Sequence, residues 1–151
     1  MMEFKIAQKA QFTVFGIVRK FNIKTSQTKI PEFWQEHMSG DAAKEIWGTY
    51  GICLDDTHDF KYMIADDYTP WKELPSGAEI KVVPAGTWAV FPCRGALPNS
   101  IHNLTKRIFG EWLPSNGKYK KAGSVEIEYY PQPCDNSDND YCEIWIQVEK
   151  I

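Results

Sequence analysis

Several things are missing from this chain, and each absence removes a class of function. No window approaches the roughly 18 apolar residues that a membrane-spanning helix needs. The opening MMEFKIAQKA holds neither a long apolar run nor a cleavage-like site, so a cytoplasmic protein with no membrane partner is expected. An excess of positive charge is also missing, since 17 Lys and Arg face 20 Asp and Glu, giving a net charge of −3 and a pI near 5.6. Affinity for nucleic acid rests on basic side chains neutralising phosphates, so no direct nucleic-acid partner is expected. The one short basic run, GKYKKAG, reads as a solvated turn.

Metal and nucleotide signatures are absent too. Four cysteines, Cys53, Cys93, Cys134 and Cys142, show no CxxC spacing, which predicts reduced structural thiols; Cys134 and Cys142 are the pair a hairpin could bring face to face. His37, His58 and His102 are far apart in the sequence, which excludes a zinc site on spacing. The acidic stretch DNSDND resembles a calcium loop until its sixth position, which is Asp140 where glycine is needed, and its twelfth, which is Ile146 where glutamate is needed. No GxSxG, Walker or GxGxxG motif occurs. Neither a metal nor an organic cofactor is expected.

What the chain does have is aromatic surface, with six Trp, seven Tyr and eight Phe in 151 residues. QFTVFGIVRKF carries the β-branched and aromatic pattern of a strand, and TKIPEFWQEHM then places Ile30, Phe33, Trp34, His37 and Met38 at helical spacing. YGICLDD and DFKYMIADD follow as a hairpin around turn residues near Asp56 and His58. The second half repeats the order. GTWAVFPCRG is a strand, LPNSIHNLTKRIFGEWLPSNG a helix stopped by Pro114 and Gly117, and SVEIEYYP with YCEIWIQVEK a closing hairpin. An extra strand, AEIKVV, lies in the connection between the halves.

The pattern therefore predicts an α+β domain over residues 1–151, with duplicated strand-helix-strand-strand modules at about 4–67 and 79–150. Pseudo-twofold pairing would give an antiparallel sheet with two helices, and the sheet faces left uncovered by helices would curve into a central ligand groove.

Within that plan Glu143 is conspicuous. It stands between Tyr141 and Trp145 on one face of the last strand, opposite the apolar set Cys142, Ile144, Ile146 and Val148. A carboxylate among aromatic rings either faces water beside a lysine or waits for a cation, and a flat apolar cation would both neutralise it and stack on the rings. Laying DFKYMIAD over DYCEIWIQ puts Tyr62 at the counterpart of Glu143, while Trp88, Trp145 and Tyr130 are candidates for the cavity lining. Acid–base chemistry by Glu143 would draw on Glu126, Glu128 or a Tyr hydroxyl as its second group.

The doubled plan, GTWAVFPCRG, the helix ending FGEWLPSNG followed by Tyr119, and the closing EIWIQV together resemble the GyrI-like family. These are the bacterial transcription-activator effector-binding domains that serve as drug sensors in AraC-type and MerR-type regulators. The resemblance implies two modules around a cavity, an acidic residue on the last strand that meets cationic ligands, here Glu143, and Trp112, Trp145 and Tyr62 as walls. It further implies a stand-alone module that captures bulky hydrophobic cations, of the kind also found in mobile gene cassettes. The alternatives it carries are a hydrolase of reactive DNA-alkylating compounds using Glu143 and a Tyr, and a gyrase-inhibitor-like interaction module. Of protein partners, it admits a second copy of the chain and a separate DNA-binding regulator.

Overall fold

The computed structural model describes residues 2–54, 59–135 and 137–151. Its elements are β1 (Lys5–Lys9), β2 (Phe12–Asn22), α1 (Ser26–Ser39), β3 (Tyr50–Cys53), β4 (Asp59–Asp67), β5 (Glu79–Val83), β6 (Gly86–Arg94), α2 (Asn99–Arg107), β7 (Tyr119–Tyr129) and β8 (Tyr141–Lys150). The turn near Asp56 and His58 lies outside the described residues. All eight strands join one antiparallel sheet in the order β1-β6-β8-β7-β3-β4-β2-β5. That order has the same form from either edge. A β6-β8-β7 trio meets a β4-containing trio at the β7/β3 seam, and β1 and β5 extend the two outer strands.

Each trio carries its helix on the same face of the sheet. Phe33 of α1 packs on Phe15, Phe60, Tyr62 and Ile64 of the sheet, and Ile101, Ile108 and Trp112 of the second helix pack on Phe91, Ile144 and Ile146. The helical spacing of Ile30, Phe33, Trp34 and His37 puts them on that inward stripe. Phe33 is 2% exposed, its ring packs on Phe21 and Tyr62, and the Arg19 guanidinium covers it at 4.3 Å. The second helix continues past Arg107 through a wider turn, Ile108–Trp112, to Ser115, which seats Trp112 edge-on against Phe91 and Phe4. Among the described residues no helix is long and apolar enough to cross a membrane.

The opposite face is closed by its own side chains. Trp88, Val90, Ile127, Trp145, Tyr50, Ile52, Met63 and Val14 form one buried cluster without a helix over it. Because a twisted sheet coils, its outer strands can bring Ala7, Phe12 and Val83 onto that cluster. The groove expected on this uncovered face is therefore filled by core.

The error in the expectation is one of register. Tyr62 lies opposite Cys53, Cys53 opposite Glu126, and Glu126 opposite Ile146, so Tyr62 shares the helix-bearing face with Ile144 and Ile146. The alignment that equated Tyr62 with Glu143 is off by one residue, and a one-residue slip sends every side chain to the other face. Strand β1 and the first five residues of β7 also escape the sequence reading, because KIAQK and YKKAG carry too much charge to show alternation.

Truncating the residue that pins α1 to the sheet should expose this architecture's main dependency. Phe33→Ala is expected to cost about 3–5 kcal/mol, measured by urea denaturation. A loss within ordinary surface-mutation scatter would mean that α1 is not held by this ring.

Candidate functional site

Between the two helices the sheet is left uncovered, and the strands beneath that gap are β3 and β7. Two adjoining cavities of about 400 and 550 Å³ occupy it, and both are lined by Ile30, His102 and Glu128. The first is walled by Ile30, Trp34 and Met38 from α1, by Pro98 and Ile101 at the start of α2, and by Trp47, Tyr130 and Cys134 from the connections. The second continues over Cys53, Phe60, Phe109, Lys106 and Glu126.

Glu128 forms the floor where the cavities meet. Its strand alternates, so Glu126, Glu128 and the following Tyr130 turn toward the helices while Ile127 turns into the opposite core. The Tyr62 hydroxyl donates to Glu128 Oε1 at 2.5 Å, the Tyr130 hydroxyl to the same oxygen at 3.2 Å, and the Trp34 indole N–H donates to Tyr62 Oη at 2.8 Å. A chain of hydrogen bonds thus runs from α1 through β4 to the floor. Space for it comes from Gly51, the register partner of Glu128 on β3, where an added Cβ would collide with the Tyr62 hydroxyl and approach Glu128 Oε1 to 2.7 Å. No side chain other than glycine leaves that room.

The charge of this carboxyl is poorly compensated. Burial pushes its pKa from 4.5 up to about 7, against the opposing pull of the Tyr62 and Tyr130 hydrogen bonds. In turn, burial and the neighbouring carboxylate push both phenols upward, so they remain donors. Glu126 differs, for Lys121 pairs with it at 3.0 Å. None of the ion pairs of the described residues includes Glu128.

The aromatic wall is fixed by polar contacts behind it. Asp66 accepts the backbone N–H groups of Trp47, Gly48 and Thr49 at 2.6, 2.9 and 2.9 Å. Gly48 has φ of +94° directly beneath the Trp34 ring, where a Cβ would fall 2.6 Å from the indole. Trp34 in turn meets Tyr130 edge-on at 5.3 Å. His37, by contrast, is buried and bonded to the Ile46 carbonyl at 2.7 Å, a structural contact. Among the described residues no group of three His, Cys, Asp or Glu is placed to hold a metal ion.

The six residues singled out from the sequence separate into three groups. Tyr130 lines the cavity, and Tyr62, fully buried, supplies the hydroxyl beneath it. Trp112, near the end of the second helix, is core against the sheet. Glu143, Trp145 and Trp88 lie on the far face of the sheet, where Glu143 accepts from Tyr141 Oη at 2.8 Å and from Trp145 Nε1 at 2.9 Å, and Lys9 sits 4.1 Å over the Trp145 ring. Glu143 is therefore not on the cavity; the carboxyls that line it are Glu128 and the lysine-paired Glu126. The signal for both was present in SVEIEYYP, where two carboxylates and Tyr130 alternate with Val125, Ile127 and Tyr129.

Two outcomes follow from the raised acid. The folded protein binds the Glu128 proton more tightly than the unfolded chain, so stability is lost as pH rises from about 4.5 through about 7. Glu128→Gln should remove that decline in thermal denaturation scans; an unchanged pH slope would show that the carboxyl titrates normally. Tyr62→Phe deletes a donor to the carboxylate and should move its titration midpoint above about 7, read by carboxyl carbon NMR.

Comparison with known proteins agrees with this architecture. The model of the GyrI-like small molecule binding domain matches residues 2–149. The structure of SAV2435 bound to tetraphenylphosphonium superposes with a TM-score of 0.83 at 20% identity, covering 98% of this chain and 94% of that one. An integron cassette protein from the mobile metagenome of Vibrio cholerae gives 0.74 at 20% identity, covering 97% and 95%. The EcmrR C-terminal domain gives 0.60 at 18% identity, covering 100% and 99%. No curated protein matches the chain by sequence. The match across nearly the whole length establishes that the chain belongs to the GyrI-like small molecule binding domain family.

Proposed function

We propose that this protein captures bulky, hydrophobic, cationic small molecules in the cleft between α1 and α2, with the Glu128 carboxylate as counter-charge. One observation carries the reading: a buried carboxyl on the floor of an aromatic-walled cavity, held by two phenols and paired with no lysine or arginine of the described residues. A carboxylate so placed is costly when ionised and unpaired, and an apolar cation removes the cost while burying its own surface against Trp34, Trp47 and Met38. A neutral ligand would leave the charge uncompensated. A strongly hydrated cation would lose its water without gaining apolar contact. The tetraphenylphosphonium carried by SAV2435 has the chemistry this argument asks for.

The hydrolase reading survives in altered form, since the Tyr62, Glu128 and Tyr130 cluster also contains proton donors and an acid with pKa about 7. Turnover separates the two: a binder returns its ligand unchanged, whereas a hydrolase yields product by mass spectrometry.

Fluorescence or calorimetric titration with tetraphenylphosphonium, alongside the neutral triphenylphosphine oxide, tests the counter-charge. Glu128→Gln should weaken the cation by about tenfold or more, or about 1.4 kcal/mol, and leave the neutral compound little changed. Glu143→Gln should leave both as in the parent. Cation affinity should rise with pH up to about 7 and level off above it, because below that value a proton must leave before the charge pair forms. Equal cation binding by the parent and Glu128→Gln would overturn the assignment.

A further inference from the structure

Behind the α2 wall of the cavity lie two thiols that the ligand reading does not use. Cys93 on β6 and Cys142 on β8 are direct register partners, and both are free and buried, at 4% and 1% exposure. Directly opposed residues of an antiparallel pair hold their Cα atoms about 4.5–5.5 Å apart, which falls inside the separation of about 4.4–6.8 Å that a disulfide spans. Both strands are interior to the sheet, with β1 beyond β6 and β7 beyond β8, so the ladder holds the pair at that separation.

The titration of each thiol depends on the other, as adjacent sulfurs require. Part of the cavity wall packs against the pair. Leu97, Ile101 and Tyr130 pack in the same cluster as the pair and also line the cavity. A third thiol, Cys134, lines it as well and lies within electrostatic reach of both.

We propose that Cys93 and Cys142 form a reversible dithiol–disulfide site, oxidised by a small disulfide that enters through the cavity. One thiol of the pair, as its thiolate, attacks one sulfur of the small disulfide, making a mixed disulfide and expelling one small thiolate. The other thiol gives its proton to that thiolate, attacks the first cysteine's sulfur and expels the second small thiolate. The protein loses two electrons and two protons, and the small disulfide becomes two thiols. A thiol reductant reverses both steps. In a reducing compartment a bond of this kind is transient and reports oxidant. The proposal stands whether or not the cavity binds cations.

The test is to incubate the native protein with oxidised glutathione, alkylate the remaining thiols, and digest with trypsin and chymotrypsin without reduction, so that Cys134 and Cys142 fall on separate peptides. The expected result is one intramolecular link between the Cys93 and Cys142 peptides, an intact mass lower by two hydrogens, and full reversal by dithiothreitol. The Cys53→Ser, Cys134→Ser double variant should form the same link. Links through Cys53 or Cys134, persistent glutathione adducts without a link, or thiols that stay unreacted while folded would each overturn it.

Discussion

The hydrogen bond from Tyr62 to Glu128 is the contact on which the rest of this site depends. It crosses from β4 over a glycine to β7, so it couples the two halves of the sheet at their seam. Remove the gap at Gly51 and the phenol cannot reach; remove the phenol and a buried carboxyl loses its stronger donor. Trp34 extends the same chain into α1, so the floor and one wall of the cavity are held by a single polar network. A buried polar network is held most firmly when every member is satisfied, and here one carboxyl oxygen is left open to a partner. Both phenols bond Oε1, and among the described residues none bonds Oε2.

This arrangement gives a physical reason for the gap between α1 and α2 in this chain. Closing α1 against α2 would bury the floor carboxyl in hydrocarbon with no compensating charge, a cost of several kcal/mol. The opposite face has no such conflict, since Ile127, Trp145, Trp88 and Met63 are apolar and can close on one another. The sheet is therefore solid on one side and open on the other, and the open side follows the acidic residue of β7.

Much of the fold could be read from residue order. The β2, α1 and β4 patterns, and the later β6 and β8, are long and periodic enough to be placed within a few residues of the structure. The duplication follows from their repeated order. The site was harder to read because strand periodicity of two gives two faces and no sign telling which one the helix covers. Glu143 looked exceptional between Tyr141 and Trp145, but those neighbours are its hydrogen-bond donors on a face closed by core. Glu128 looked ordinary in SVEIEYYP, and its importance depends on Gly51 and Tyr62, which lie 77 and 66 positions away. Side-chain contacts across a sheet of this order are set by pairing, which sequence spacing does not contain.

Proton release on binding addresses the central claim most directly. Titrating tetraphenylphosphonium at about pH 6 in buffers of different ionisation enthalpy measures the protons that leave the complex, because a cation seated on Glu128 must expel the proton that burial has stabilised there. A tenfold effect of Glu128 on cation affinity corresponds to a release of about 0.4 proton per ligand at that pH, and a larger effect to more; the release vanishes well above about pH 7 and is absent in Glu128→Gln. Binding without proton release at about pH 6, or an equal release from the Gln variant, would contradict it.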